Sequence, residues 1–159
     1  MRSTPSLILQ SHSPQQTFDY GSKLAPILEA GDLISLTGEL GAGKTVFTKG
    51  LAKGLGITEI ITSPTFTIIS EYEGRLPFYH FDLYRLNPDE LDDLGYEDYF
   101  YGEGTTVVEW GDKIKEKLPP DYLSIDFTYG KEEFERILKF AGHGNWQSRM
   151  EKIKESLSK

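Results

Sequence analysis

The chain of 159 residues contains no cysteine and only three histidines. The missing thiols exclude disulfides, thiolate zinc sites, iron–sulfur clusters and cysteine nucleophiles. Lysine and arginine together number 17 against 25 acidic residues, which gives a net charge of −8. This balance argues against a basic groove that binds a nucleic-acid backbone directly. Any role in nucleic-acid chemistry is therefore expected to be small or delegated to a partner.

Long apolar runs are also missing. The longest run near the amino terminus is Leu7-Ile8-Leu9, which is too short for a signal peptide or a membrane span. We therefore expect a cytoplasmic protein that does not contact a membrane. The length and the 38% hydrophobic content predict one domain with a sizeable core over residues 1–159.

A glycine-rich loop carries the clearest chemical signal. Gly38 to Thr45 read Gly-Glu-Leu-Gly-Ala-Gly-Lys-Thr and match G-x-x-x-x-G-K-[ST] without a mismatch. Its glycines let backbone N–H groups point at phosphate oxygens, and the following helix adds its positive end. The pattern predicts that Lys44 contacts the β- and γ-phosphates and that Thr45 binds Mg²⁺. The other loop residues expected at the nucleotide are Glu39, Leu40, Gly41, Ala42 and Gly43. We expect Lys44 to be an exposed loop lysine.

Two acidic residues follow apolar strand candidates, where a phosphate-loop protein needs a carboxylate near magnesium. Asp82 ends the run 76–81, and Glu109 ends the run 105–108. Asp82 is assigned to magnesium, and Glu109 to orienting water or binding the metal; either could instead cap the next segment. Trp110, directly after Glu109, is expected to border the nucleotide. His80 shares a strand face with Asp82 and is interpreted as a structural histidine.

The remaining patterns outline alternating strands and helices. Strands are predicted at 6–11, 33–37 and 105–110, and hairpins at 66–73 with 76–84 and at 121–128 with 132–141. Helices are predicted after Ser13, after Lys44 and after a cap at Asn87. Gly50 and Gly54 fall inside the second helix and are expected to be tolerable there if that face packs closely on a sheet. A terminal amphipathic helix at about 144–159 places Trp146, Met150, Ile153 and Leu157 on one side.

An acidic segment separates Arg85 from Lys113, with no basic residue between them. Aromatic residues interleave with its acids, at Tyr96, Tyr99, Phe100 and Tyr101. The segment is interpreted either as a solvated face with its aromatics in the core, or as a docking surface for another protein. The terminal helix leaves the same two alternatives open.

Four motifs together resemble the TsaE family, the small ATPase of bacterial tRNA threonylcarbamoyladenosine biosynthesis. They are the phosphate loop, Ser63-Pro64-Thr65-Phe66, His80-Phe81-Asp82-Leu83-Tyr84-Arg85 and Val108-Glu109-Trp110. The resemblance covers roughly residues 14–140. It implies an α/β fold of the P-loop NTPase type, with a mostly parallel central sheet, an antiparallel extension and flanking helices.

The resemblance also implies ligands, partners and site residues. ATP and Mg²⁺ are the implied ligands, with weak hydrolysis by the isolated protein and stimulation by its partners, the TsaD and TsaB proteins. Contact with tRNA would be only indirect, through that complex. By the same resemblance, Thr65 matches a switch-like threonine, Arg136 a basic residue that could reach the nucleotide, and Thr17 a position near the adenine.

Two other functions use the same loop. A small-molecule kinase would need a substrate pocket and usually an arginine-bearing lid, but the chain has five arginines and none between Arg85 and Arg136. A non-hydrolytic nucleotide switch would use the same residues as an ATPase. The sequence disfavours the kinase and separates the switch poorly from the ATPase.

Overall fold

A computed structural model of the chain describes residues 6–39, 41–59, 61 and 69–158. Within them, seven strands form one mixed sheet in the order β1-β7-β6-β2-β5-β4-β3. The strands are β1 (Ser6–Ser11), β2 (Leu33–Gly38), β3 (Ile69–Glu73), β4 (Pro77–Asp82), β5 (Thr105–Glu109), β6 (Tyr122–Tyr129) and β7 (Arg136–His143). The α-helices are α1 (Pro14–Leu24), α2 (Lys44–Gly54), α3 (Pro88–Asp92), α4 (Tyr96–Phe100) and α5 (Met150–Leu157).

The centre of the sheet is parallel and both sides are antiparallel. β6, β2, β5 and β4 run parallel to one another, while β7 and β1 add on one side and β3 adds on the other. The α/β class with a parallel centre and flanking helices is therefore confirmed. β2 lies between β6 and β5, so the loop that follows it opens at the middle of the sheet, where parallel α/β sheets bind ligands.

The central strands β2 and β5 bury most of both faces, and each face of the sheet has its own core. On β2, Ile34 and Leu36 pack with α1, α2 and α5, whereas Leu33 points to the opposite face. That second core is completed by residues of α3, α4 and the 3₁₀ segment Gly111–Lys117. This alternation puts Glu109 on the same face as Val107, which is the face covered by α2.

The glycines of α2 pack against α1 and not against the sheet, so that expectation was wrong. A side chain at Gly50 would begin 2.0 Å from the carbonyl oxygen of Phe18, and one at Gly54 would begin 2.4 Å from the Ala25 side chain. The absence of Cβ atoms lets the two helices approach closely, which offsets the helix propensity that glycine loses.

The structure differs from the prediction at several element ends, two of which have a clear cause, and at one helix cap. β7 begins at Arg136, because a turn closed by Gly130 N–H to Glu135 O (2.9 Å) occupies the residues before it. β5 ends at Glu109, because Trp110 adopts a left-handed backbone with φ 67°. Asn87 precedes α3 as predicted, but its side chain makes no capping hydrogen bond. Of the first predicted hairpin, residues 66–68 lie outside the described part of the chain.

The terminal segment belongs to the core. Trp146 lies in the 3₁₀ segment Gly144–Arg149, and Met150, Ile153 and Leu157 in α5 are all buried with it. Arg149 ties this segment to the start of β2 through two 2.8 Å hydrogen bonds to the Asp32 carboxylate. Core packing, one of the two alternatives for this helix, is therefore the structure found.

Candidate nucleotide site

The glycine-rich loop joins the end of β2 to the start of α2. Gly41 and Gly43 have φ angles of 82° and 107°, which lie in the left-handed region that favours glycine. The Ala42 N–H donates to the Glu39 carbonyl at 3.1 Å and tightens the turn. α2 then begins at Lys44 and directs its N-terminus toward the loop. This arrangement suits an anion, because backbone N–H groups and the helix dipole both favour negative charge.

Lys44 is buried, with only 4% of its surface exposed, so the expectation of an exposed lysine was wrong. Its Nζ donates to the carbonyl oxygens of Gly38 (2.5 Å) and Glu39 (2.9 Å) and lies 4.1 Å from the centre of the Trp110 ring. Burial lowers the pKa of the Lys44 ammonium, while the neighbouring carboxylates of Glu109, Asp82 and Asp112 oppose this shift. The cation is thus held at the glycine-rich loop by backbone carbonyl contacts that an anion could replace.

Glu109 is the acidic residue that contacts α2, the helix that follows the loop. Its Oε1 accepts a hydrogen bond from the Thr45 hydroxyl at 3.2 Å, and its Oε2 bonds to Nε2 of His80. Glu109 is only 3% exposed and His80 is fully buried. The structure therefore brings together Thr45 and Glu109, two of the predicted metal ligands, and adds His80, which the sequence suggested only as structural.

Asp82 lies beside Glu109 in the sheet, since the two residues are register partners on β4 and β5. It is half-buried, and its Oδ1 accepts a hydrogen bond from the Tyr84 N–H at 3.1 Å. Burial raises the pKa of Asp82 and the charge of Glu109 adds to the rise, while the Tyr84 N–H, His80 and Lys44 counter it. Two carboxylates at adjacent strand ends form an acidic pair next to the Lys44 ammonium.

Thr17 lies beside the loop, whereas Arg136 is linked to the loop only through Tyr129. Thr17 is buried, shares a 2.6 Å hydrogen bond with Ser11, and its methyl group would lie 3.6 Å from a Cβ at Gly43. The guanidinium of Arg136 lies 4.5 Å from the ring centre of Tyr129, whose hydroxyl would lie 3.3 Å from a Cβ at Gly41.

Tyr129 was missed by the sequence analysis. Its approach to the loop depends on the pairing of β6 with β2, and nothing in the local sequence pattern signals this pairing.

The donor set fits magnesium bound together with a nucleotide. The Thr45 hydroxyl and the carboxylates of Glu109 and Asp82 are the hard oxygen ligands that Mg²⁺ prefers. Within the described ranges, no three His, Cys, Asp or Glu side chains converge into a metal cage made by protein alone. Mg²⁺ at phosphate-transfer sites takes only one or two carboxylates and fills its shell with phosphates and water. Leu40 and Thr65, also predicted at the site, lie outside the described residues.

This fold and loop define an α/β protein of the P-loop NTPase type. A model of the family described as "Threonylcarbamoyl adenosine biosynthesis protein TsaE" matches residues 11–138. The chain belongs to the TsaE family, which is a family of tRNA threonylcarbamoyladenosine biosynthesis proteins.

Named relatives match over most of their length. The chain is 47% identical to the TsaE protein of Bacillus subtilis, over 92% of this chain and 90% of that protein. It is 48% identical to the TsaE protein of Treponema pallidum, over 72% of this chain and 86% of the relative. A crystal structure of Bacillus subtilis YdiB superimposes with a TM-score of 0.81 at 40% identity, and covers 99% of this chain and 97% of YdiB. In the described part of the chain, no helix is long and apolar enough to cross a membrane.

Proposed function

We propose that the protein is a weak Mg²⁺-dependent ATPase that supports threonylcarbamoyl transfer to adenosine in tRNA. The observation that carries the proposal is the meeting of Lys44, Thr45 and Glu109 at the carboxyl end of β2 and β5. The loop would supply positive charge for the phosphates, and the carboxylate would hold a metal or orient a water. Membership of a family of threonylcarbamoyladenosine biosynthesis proteins supports the assignment to this pathway.

Each residue of the site is assigned a proposed role that follows from its chemistry. Lys44 moves from the carbonyls of Gly38 and Glu39 to the phosphate oxygens, which are stronger acceptors because they are charged. Thr45, Glu109 and Asp82 would hold Mg²⁺, which when bound neutralises charge on the phosphates. Thr17 lies beside the loop, Trp110 contacts Lys44, and Arg136 lies against Tyr129 next to Gly41; these side chains would limit where the rest of the nucleotide lies.

Partner proteins complete the proposed activity. A chain with a net charge of −8 is poorly suited to bind tRNA directly, so tRNA would be reached through TsaD and TsaB family proteins. These partners would also stimulate hydrolysis, and the proposal places the assembly in the cytoplasm. ATP would serve the transfer cycle and would not be consumed on a small-molecule acceptor.

The loop lysine provides the test. Losing one charge-assisted hydrogen bond costs about 1.5–3 kcal/mol, so Lys44→Ala should weaken ATP binding by roughly 10- to 150-fold. Lys49→Ala, an exposed lysine on the same helix, is the matched control and should bind ATP like the wild type. Calorimetric titration of ATP and circular dichroism measure affinity and fold for both variants.

Phosphate release separates the alternatives. The ATPase proposal expects slow release by the wild-type chain and faster release with TsaD and TsaB present. ATP binding without release under either condition would indicate a non-hydrolytic switch, and transfer of the γ-phosphate to a small molecule would indicate a kinase. Unchanged affinity and turnover in Lys44→Ala would contradict the nucleotide site itself.

A further inference from the structure

His80 is a polar residue in an apolar position. It lies on β4, fully buried, with Val107 as its register partner on β5 and Phe78 two residues before it on the same face. A buried polar group costs free energy unless its hydrogen bonds are satisfied. A leucine would occupy such a position without this cost. The presence of an imidazole here therefore needs a physical explanation.

One ring nitrogen has a partner and the other does not. Nε2 bonds to Oε2 of Glu109, whereas Nδ1 has no hydrogen-bond partner among the described residues. Because a carboxylate accepts hydrogen bonds, this contact assigns a hydrogen to Nε2 of the ring. The polar chemistry of this side chain is therefore directed at a single acceptor, which is Glu109.

The two oxygens of Glu109 are held from two different elements. The Thr45 hydroxyl on α2 donates to Oε1, and the His80 ring on β4 donates to Oε2. Two donors, one on each oxygen, fix the rotation of the carboxylate as well as its position. Without the second donor, the carboxylate could turn about its last bond and its Oε1 would leave Thr45.

We infer that His80 is a positioning residue, whose Nε2–H holds one oxygen of Glu109 so that the other faces Thr45 and the phosphate loop. This inference rests on the proposed function, because Glu109 is useful in this orientation only if it serves a nucleotide. His80 touches neither nucleotide nor metal in this role and acts only through Glu109. Partners of this kind commonly change activity by roughly 10- to 100-fold.

Three variants of the full chain test the role. His80→Leu removes the donor, His80→Gln restores an N–H donor, and Phe78→Leu perturbs the same buried face without touching Glu109. We expect single-turnover ATP hydrolysis to fall roughly 10- to 100-fold in His80→Leu and to return largely in His80→Gln. ATP affinity should stay unchanged in both, and Phe78→Leu should lose stability but keep its turnover. Should His80→Leu not fold, His80→Asn replaces it, because its shorter amide does not reach Glu109.

Combining His80→Leu with Glu109→Gln tests whether the two residues act as a unit. If His80 works through Glu109, the double variant is no slower than Glu109→Gln alone. Equal slowing by His80→Gln and His80→Leu would overturn the inference, as would wild-type turnover in His80→Leu or a further loss in the double variant.

A readout without nucleotide separates this inference from the proposed function. The ¹⁵N spectrum of the His80 ring should show hydrogen on Nε2, and Glu109→Gln should shift that signal. A His80 signal that Glu109→Gln leaves unchanged overturns the positioning role, whatever the turnover. A wild-type chain without ATP binding would contradict the proposed function, and the role of His80 in it, even if the ring signal still reports the contact with Glu109.

Discussion

At the scale of single residues, Glu109 is the most constrained acid of the site. Glu109→Gln keeps the shape of the side chain and removes its charge, so it separates electrostatics from packing. We expect single-turnover hydrolysis with partners present to fall strongly but to stay measurable, while ATP affinity is retained, because Lys44 and the loop supply the charge that binds phosphates. Normal turnover would show that Glu109 only ends its strand, and the catalytic role would move to Asp82 or to a partner.

The ionised carboxylate of Asp82 should lower the free energy of unfolding at neutral pH. Burial raises its pKa above the ordinary 3.8, so the folded chain binds more protons than the unfolded chain between 3.8 and the folded pKa. The free energy of unfolding therefore falls as the pH rises through this window, and the loss persists at neutral pH. Asp82→Asn should melt at a higher temperature than the wild type at pH 7, without nucleotide or Mg²⁺.

The pH dependence and a matched control check this expectation. The difference in melting temperature between Asp82→Asn and the wild type should shrink as the pH is lowered below 3.8, where both side chains are neutral. Asp93→Asn makes the same change at an exposed acid and should alter the melting temperature little. A lower melting temperature for Asp82→Asn at pH 7 would show that its carboxylate stabilises the fold.

Single residues were predictable to the extent that their chemistry is local. The spacing of the loop motif was enough to predict that Lys44 and Thr45 lie where the loop meets a helix. The apolar run before Glu109 was enough to predict that Glu109 ends a strand. The burial of Lys44 was not predictable, because it depends on Trp110, which comes from another strand end. The contact between His80 and Glu109 likewise depends on the register of β4 with β5.

At the scale of elements, the acidic segment divides into a buried and an exposed part. Tyr99 and Phe100 pack against Phe81, while Tyr101 is 65% exposed. Most of the acids are exposed, and Asp92 pairs with Lys117 at 2.8 Å. The burial of Tyr99 and Phe100 agrees with the alternative in which the aromatics of this segment lie in the core. The exposed acids leave the docking alternative to be tested by experiment.

Reversing charges in this segment tests docking to a basic partner surface. We expect Asp89→Lys with Asp93→Lys to slow association with the partner complex, because steering by opposite charges raises association rates. Added salt should weaken the wild-type complex for the same reason. Glu151→Lys with Glu155→Lys on α5 makes the same change of net charge elsewhere and should leave the rate unchanged. Equal rates for both double variants would leave the segment a solvated face.

Element types were predicted well and their ends less well. Every strand predicted from an apolar run lies in the sheet where it is described, because a strand needs apolar residues on at least one face to pack against a core. The start of β7 was placed too early because Glu132 to Glu135 form turn hydrogen bonds that local composition does not reveal. The packing partner of the α2 glycines was also wrong, since close approach by a helix or by a sheet makes the same demand on a sequence.

At the scale of the whole molecule, the sheet order explains why one end of the protein carries the site. β2 and β5 are neighbours although α2, β3, β4, α3 and α4 lie between them in sequence. This crossover brings Thr45 and Glu109 together across 64 residues. Family resemblance predicted the fold class, whereas the sequence patterns alone did not specify the strand order, because many orders satisfy the same apolar runs.

The stacking of Lys44 on Trp110 gives the protein an optical reporter. An ammonium 4.1 Å from the indole centre alters its excited state, and ATP would draw that charge away toward the phosphates. A Trp146→Phe variant, in which Trp110 is the sole tryptophan, should therefore change its emission on mixing with ATP. A Trp110→Phe variant keeps only the core indole of Trp146, and its emission should not change on mixing with ATP. Stopped-flow mixing could then follow nucleotide arrival and departure in real time without an added dye, and a constant signal from Trp110 at saturating ATP would contradict its place beside the nucleotide.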